Sequence, residues 1–83
     1  MTHVIDPRDI SELYEVCEEL KRATKKYGPY PTFHHGWAII QEELDEMWDD
    51  VKANNWDGAR AEAIQVASSA IRFCIDLDKM RKS

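Results

Sequence analysis

The segment EELDEMWDD, residues 42–50, holds six carboxylates: Glu42, Glu43, Asp45, Glu46, Asp49 and Asp50. Only Leu44, Met47 and Trp48 interrupt them, and a further acid, Glu62, opens the segment EAIQ that ends at Gln65. Carboxylates this dense can form a solvated helix face, or they can gather oxygens around a divalent cation, for which hard oxygen donors are the natural ligands. On a helix, Glu43, Glu46 and Asp50 fall at i, i+3 and i+7 and make one stripe. Glu42, Asp45 and Asp49 make a second stripe, turned further toward solvent. Like charges at such spacings destabilise a helix, and between Phe33 and Arg60 the only Lys or Arg that could offset them is Lys52. A plain solvated face mixes signs, as Glu18, Glu19, Lys21 and Arg22 do. Both readings stand on spacing alone, but the uncompensated acids have the look of a metal site without its cation.

The elements that must position these acids are helical, with no strand alternation anywhere in the chain. Asp6-Pro7 reads as the start of a first helix, an N-cap followed by a proline pre-set for the first turn. Ile10, Leu13, Cys17, Leu20 and Tyr27 share one face, and Gly28-Pro29 ends the helix through a left-handed glycine cap. Thr32 or one of the histidines caps a second helix over about 33–53, whose apolar seam is Trp37, Ile40, Leu44, Met47 and Val51. The 54–58 turn leads to a third helix, with Asp57 as its N-cap and Ala63, Ile64, Ala67, Ala70, Ile71, Cys74 and Leu77 along its apolar side. Helices two and three form an antiparallel hairpin, with helix one packed on it. This pairing brings Glu46 and Glu62 within a turn or so of each other, facing one groove. Facing carboxylates from neighbouring helices are a common way for bundles to hold divalent metals. Oxygen-only ligands suit Mg²⁺, or alternatively Mn²⁺, with coordination positions left for water and a substrate phosphate.

Eighty-three residues make a single domain, 1–83, with a small core. The expected fold is all-α, three helices per chain, which a second copy completes as a four-helix-type bundle; a dimer or a tetramer would supply the missing stability. Cys17 and Cys74 carry no metal or disulfide spacing and read as reduced core thiols. The net charge of −5 argues against a DNA or RNA surface. The start MTHVID lacks a signal-peptide pattern and no apolar run reaches membrane length, so the expected setting is cytoplasmic, without a membrane partner.

Glu43-x-x-Glu46, fifteen residues, then Glu62-x-x-Gln65 resembles the E-x-x-E…E-x-x-D signature of the MazG-like, all-α nucleoside triphosphate pyrophosphohydrolases. The flanking HHGWAIIQEELDEMWDDVK and EAIQVASSAIRF are similar to short MazG-like proteins of bacterial and phage genomes, over residues 33–77. The resemblance implies Mg²⁺-dependent hydrolysis of a nucleoside triphosphate to the monophosphate and pyrophosphate. It implies Glu43, Glu46 and Glu62 as metal ligands, and Glu42 or Glu46 as the acid that orients or deprotonates the attacking water. Trp37, His34 and His35 become candidates for stacking the base, and Lys52 and Arg72 for contacting phosphate. Gln65 departs from the signature's Asp and supplies an oxygen without a charge; Asp49 or Asp50, one turn from Glu46, could compensate. That departure keeps a second function open, a MazG-like helical dimer weakened in catalysis that acts as a binding or regulatory module. A plain helical assembly protein is a third. Plainer roles stand beside each residue as well: His34-His35 as a solvent-facing helix start, Trp37 as core or interface, Lys52 and Arg72 as surface charges, and Trp48 as a dimer contact.

Overall fold

The computed structural model describes residues 4–82; residues 1–3, on which the reading of the chain start partly rests, lie outside the described residues. A 3₁₀ turn, Pro7–Asp9, precedes three helices: α1 (Ser11–Lys26), α2 (Phe33–Lys52) and α3 (Trp56–Lys82). Among the described residues there is no strand, and no helix is long and apolar enough to cross a membrane.

Three helix boundaries differ from expectation for local reasons. Asp6 does cap, its Oδ1 accepting the Arg8 amide at 3.0 Å. However, Ile10 is extended (φ −108°, ψ 125°), so the Asp6 cap closes only the 3₁₀ turn and the long helix begins at Ser11. At the other end of α1, Tyr27 leaves the helix in an extended conformation while its amide still donates to Ala23 O at 2.8 Å. Gly28 therefore has no left-handed role, and among the described residues no glycine has a positive φ. Pro29 favours an extended residue before it, consistent with this exit. α3 is capped by Asn55, whose Oδ1 accepts the Gly58 amide at 3.0 Å, rather than by Asp57. Asn54 makes the reversal at φ 55°, a conformation asparagine tolerates better than most residues. Thr32 caps α2 as expected, accepting the His35 amide at 3.0 Å.

α2 and α3 pack antiparallel, and α1 packs on α3. The hairpin register is fixed by close approaches at both ends. A Cβ on Gly36 would meet Phe73 Cδ1 at 2.7 Å, and one on Gly58 would meet Asp50 Cγ at 2.9 Å. Arg60 ties the start of α3 to α1 through Glu15, at 2.8 Å for Nη1.

The interior is unusual in composition. The buried apolar side chains among the described residues are Val16, Ala23 and Tyr30, whereas Ser68, Ser69, Arg72 and Asp76 are buried on α3. Helix α3 thus buries polar side chains, and its expected alanine-rich face is covered only in part: Ile64, Ala67 and Leu77 are half-buried, whereas Ala63, Ala70 and Ile71 are exposed. On α1 the inward face centres on Val16 and Ala23; Cys17 is exposed, as is Cys74, so neither is a core thiol within one chain. The α2 seam is half covered: Ile40, Leu44 and Met47 are intermediate, but Trp37 and Val51 are 58% and 48% exposed. What α2 presents to α3 is Gly36, Glu43 and Asp50, the stripe that carries the acids.

Candidate functional site

A cleft of about 410 Å³ opens between the end of α1, the 27–31 segment, the middle of α2 and the inner face of α3. Its acidic side consists of Glu42, Glu43 and Glu46 from α2 with Glu19 from α1. Gln65, Ser68 and Ser69 come from α3, and Arg22, Arg72 and His35 supply basic or titratable nitrogen. The tight Gly36–Phe73 approach brings α2 and α3 close enough for the short polar side chains of α3 to sit against Glu43.

Glu43 is the most constrained of the acids. Burial pushes its carboxyl above the ordinary carboxylate range; the Ser69 hydroxyl beside it pulls back, and the charges of Glu46 and Glu19 push up again. Its Oε1 is buried without a hydrogen-bond partner. Glu62, facing it from α3, is displaced in the same direction, first by burial, then by the charges of Glu46, Asp50 and Glu43. Its Oε2 is likewise buried and unpartnered. An orphaned buried carboxylate oxygen is costly, and two on facing helices, surrounded by further negative charge, form a pole that attracts cations. Asp50 extends this pole toward the hairpin turn, where Asn55 Nδ2 donates to its Oδ1 at 3.2 Å. Among the described residues no three His, Cys, Asp or Glu side chains converge as a ready metal cage; the acids are spread along the cleft.

The expected site residues separate into two groups. Glu42, Glu43, Glu46, Gln65, His35 and Arg72 line the cleft, with Glu62 and Asp50 electrostatically joined to it. His34, Trp37 and Lys52 do not line it. His34 stacks on Phe33 with ring centroids 4.3 Å apart. Lys52 pairs with Asp49 at 3.4 Å and lies over the Trp48 ring at 5.6 Å, on the outer side of α2. Arg72 is no surface charge: it is 8% exposed, donates from Nη2 to Gly28 O at 3.1 Å and stacks over the Tyr30 ring at 4.3 Å.

Sequence reasoning missed the contribution of α1 and the following segment: Glu19, Arg22, Tyr27 and Tyr30. The available signal was the Val16–Ala23 spacing of seven, which places Glu19 and Arg22 next to an inward face; Cys17 and Tyr27 drew the face elsewhere. No family model matches this chain, and neither a curated protein nor a solved structure matches it.

Proposed function

We propose that the chain is a divalent-cation-dependent nucleoside triphosphate pyrophosphohydrolase of MazG-like type, acting as a homodimer or higher assembly. The observation that carries this reading is the pair of buried, unpartnered carboxylate oxygens, Glu43 Oε1 and Glu62 Oε2, beside a cleft that also holds arginine. The residues fit Mg²⁺ or Mn²⁺, because all the donors are hard oxygens and two of them lack any protein partner. Glu43, Glu46 and Glu62 would hold the cation, with Asp50 in reserve; flexible glutamates that repel one another can swing together around it. Such a cation, when bound, supplies neutralisation of phosphate charge and acidification of a bound water.

The protein's own groups do the rest. Arg72, and Arg22 where it is released from Glu19 (now paired at 2.6 Å), draw the polyphosphate to the non-acidic side of the cleft. Glu42 or Glu46, both exposed in the cleft, accepts the proton of the attacking water. Gln65 contributes a neutral oxygen or amide to the substrate.

Surface area supports the assembly part of this reading. A folded monomer of 9.7 kDa exposes about 5,100 Å², whereas this chain exposes 6547 Å². The excess, roughly 1,400 Å², is more than the roughly 800 Å² each partner buries in a standard interface. Trp37, Trp48, Val51 and Ile71 are among the large apolar side chains left uncovered.

The test is a panel of nucleoside and deoxynucleoside triphosphates with Mg²⁺, products followed by ³¹P NMR. Monophosphate and pyrophosphate in equal amounts support the reading; diphosphate with orthophosphate, or no turnover across the panel, removes it. Gln65, neutral where the signature is charged, favours a second reading, a binding or regulatory module. Nucleotide binding with Mg²⁺ but without turnover distinguishes that case.

A further inference from the structure

Residues 27–31, Tyr-Gly-Pro-Tyr-Pro, form one continuous wall of the cleft. Two prolines stiffen this wall by fixing φ at positions 29 and 31. It is attached to α3 at two adjacent turns. The Tyr30 amide donates to the buried Asp76 Oδ2 at 3.0 Å, and the Gly28 carbonyl accepts from Arg72 Nη2 at 3.1 Å. Arg72 also lies over the Tyr30 ring, 4.3 Å from its centroid. Although nearly buried, Arg72 makes no ion pair among the described residues. A guanidinium has five N–H donors in a planar fork, and at a single site one edge can hold a carbonyl while another binds an anion in bidentate fashion.

We propose that the 27–31 segment is a ligand-sensing strap and that Arg72 is its latch, a polyphosphate in the cleft binding the open edge of the guanidinium while Nη2 stays on the Gly28 carbonyl. This rests on the polyphosphate chemistry proposed above and adds regulation of the same site. An anion that immobilises Arg72 thereby fixes the strap, and the coupling is reciprocal: whatever holds Arg72 in place strengthens anion binding. Tyr30 and Asp76 are positioning residues. The Tyr30 ring restrains the guanidinium from one face, and Asp76 anchors the backbone that carries both the ring and the Gly28 carbonyl. The Tyr30 hydroxyl, buried and unpartnered, plays no part in the latch.

The experiment uses inorganic tripolyphosphate with Mg²⁺, reading hydrogen exchange of the Tyr30 amide and binding by calorimetry. In the wild type, saturating tripolyphosphate slows Tyr30 exchange several-fold. Arg72→Gln weakens binding about tenfold, the effect of one charge-assisted contact, and abolishes the slowing. Tyr30→Leu removes no charge yet also weakens binding, whereas Tyr30→Phe keeps the ring and binds as the wild type does; circular dichroism shows that each variant retains its helices. Unchanged Tyr30 exchange at saturation, wild-type affinity in Tyr30→Leu, or no tripolyphosphate binding at all overturns the proposal. The wild-type exchange measurement decides even if a variant does not fold. Nucleotide turnover is scored separately: turnover without Tyr30 protection defeats the strap alone, and protection without turnover defeats the pyrophosphohydrolase alone.

Discussion

Replacing Glu62 by Gln removes one negative charge from the centre of the acidic pole while keeping the side chain's size. In the folded chain Glu62 faces the charges of Glu46, Asp50 and Glu43. Three like-charge pairs at about 0.2–0.5 kcal/mol each amount to roughly 1 kcal/mol of relief. In a chain of this size that raises the melting temperature by about 4–8 °C, in chelator at neutral pH. The pH dependence has a definite sign. Burial and neighbouring acids raise the carboxyl of Glu62 above its ordinary 4.5, so the folded state holds the proton more tightly than the unfolded state. The added stability is full below about 4.5, falls as pH rises through the elevated folded value, and is absent above it. Glu43, raised in the same direction, adds to this decline. Asp6, Glu15 and Glu19 are shifted downward by their arginine partners and act in the window below. Glu62→Gln should flatten the decline above 4.5. Millimolar Mg²⁺ should raise the melting temperature of the wild type, as any ligand selective for the folded state does, and leave the variant near its chelator value. Scanning calorimetry from pH 4 to 8, with matched ionic strength, measures all of this. A variant less stable than the wild type in chelator, with an unchanged Mg²⁺ response, would refute the reasoning and make Glu62 structural.

Gln65→Asp puts a charged oxygen where the cleft has an amide, and should tighten Mn²⁺ binding in titrations; turnover should rise about tenfold if the new contact adds about 1.4 kcal/mol at the transition state, and fall if Gln65 binds substrate instead. Gly36→Ala drives a methyl into Phe73 and Tyr30, at 2.7 and 2.9 Å from ring carbons, and should cost about 1–3 kcal/mol in urea unfolding. Light scattering at micromolar concentration should give at least twice the chain mass, and Trp37→Glu or Val51→Glu should shift it toward the monomer.

Much of this was legible in the residues. The periodicity of 33–52 located α2 almost to the residue, and the 54–58 turn residues marked the reversal that brings Glu62 back to Glu43 and Glu46. Uncompensated charge on α2 singled out the stripe that faces α3. The orientation of α3 was not legible, because apolar periodicity marks a stripe without showing how much of it the neighbouring helices cover. Ala63, Ala70, Ile71 and Cys74 define a stripe that the single chain leaves open, while Ser68, Ser69 and Arg72 are buried by small size, hydrogen bonding and ring stacking that hydropathy does not register. The 27–31 wall escaped for a related reason. Gly28-Pro29 signals the end of a helix, but the Asp76 and Arg72 contacts that turn the following residues into part of a site come from 44 and 46 positions away.

The most direct test of the acidic pole as a cation site is the binding of Mn²⁺, read by the loss of its free electron paramagnetic resonance signal, to the wild type and to a Glu43→Gln, Glu62→Gln double variant. The wild type should take up at least one Mn²⁺ per chain at micromolar to millimolar concentration, in competition with Mg²⁺, and the double variant should lose that site while remaining helical. Equal uptake by the two proteins, or none by the wild type, would contradict it.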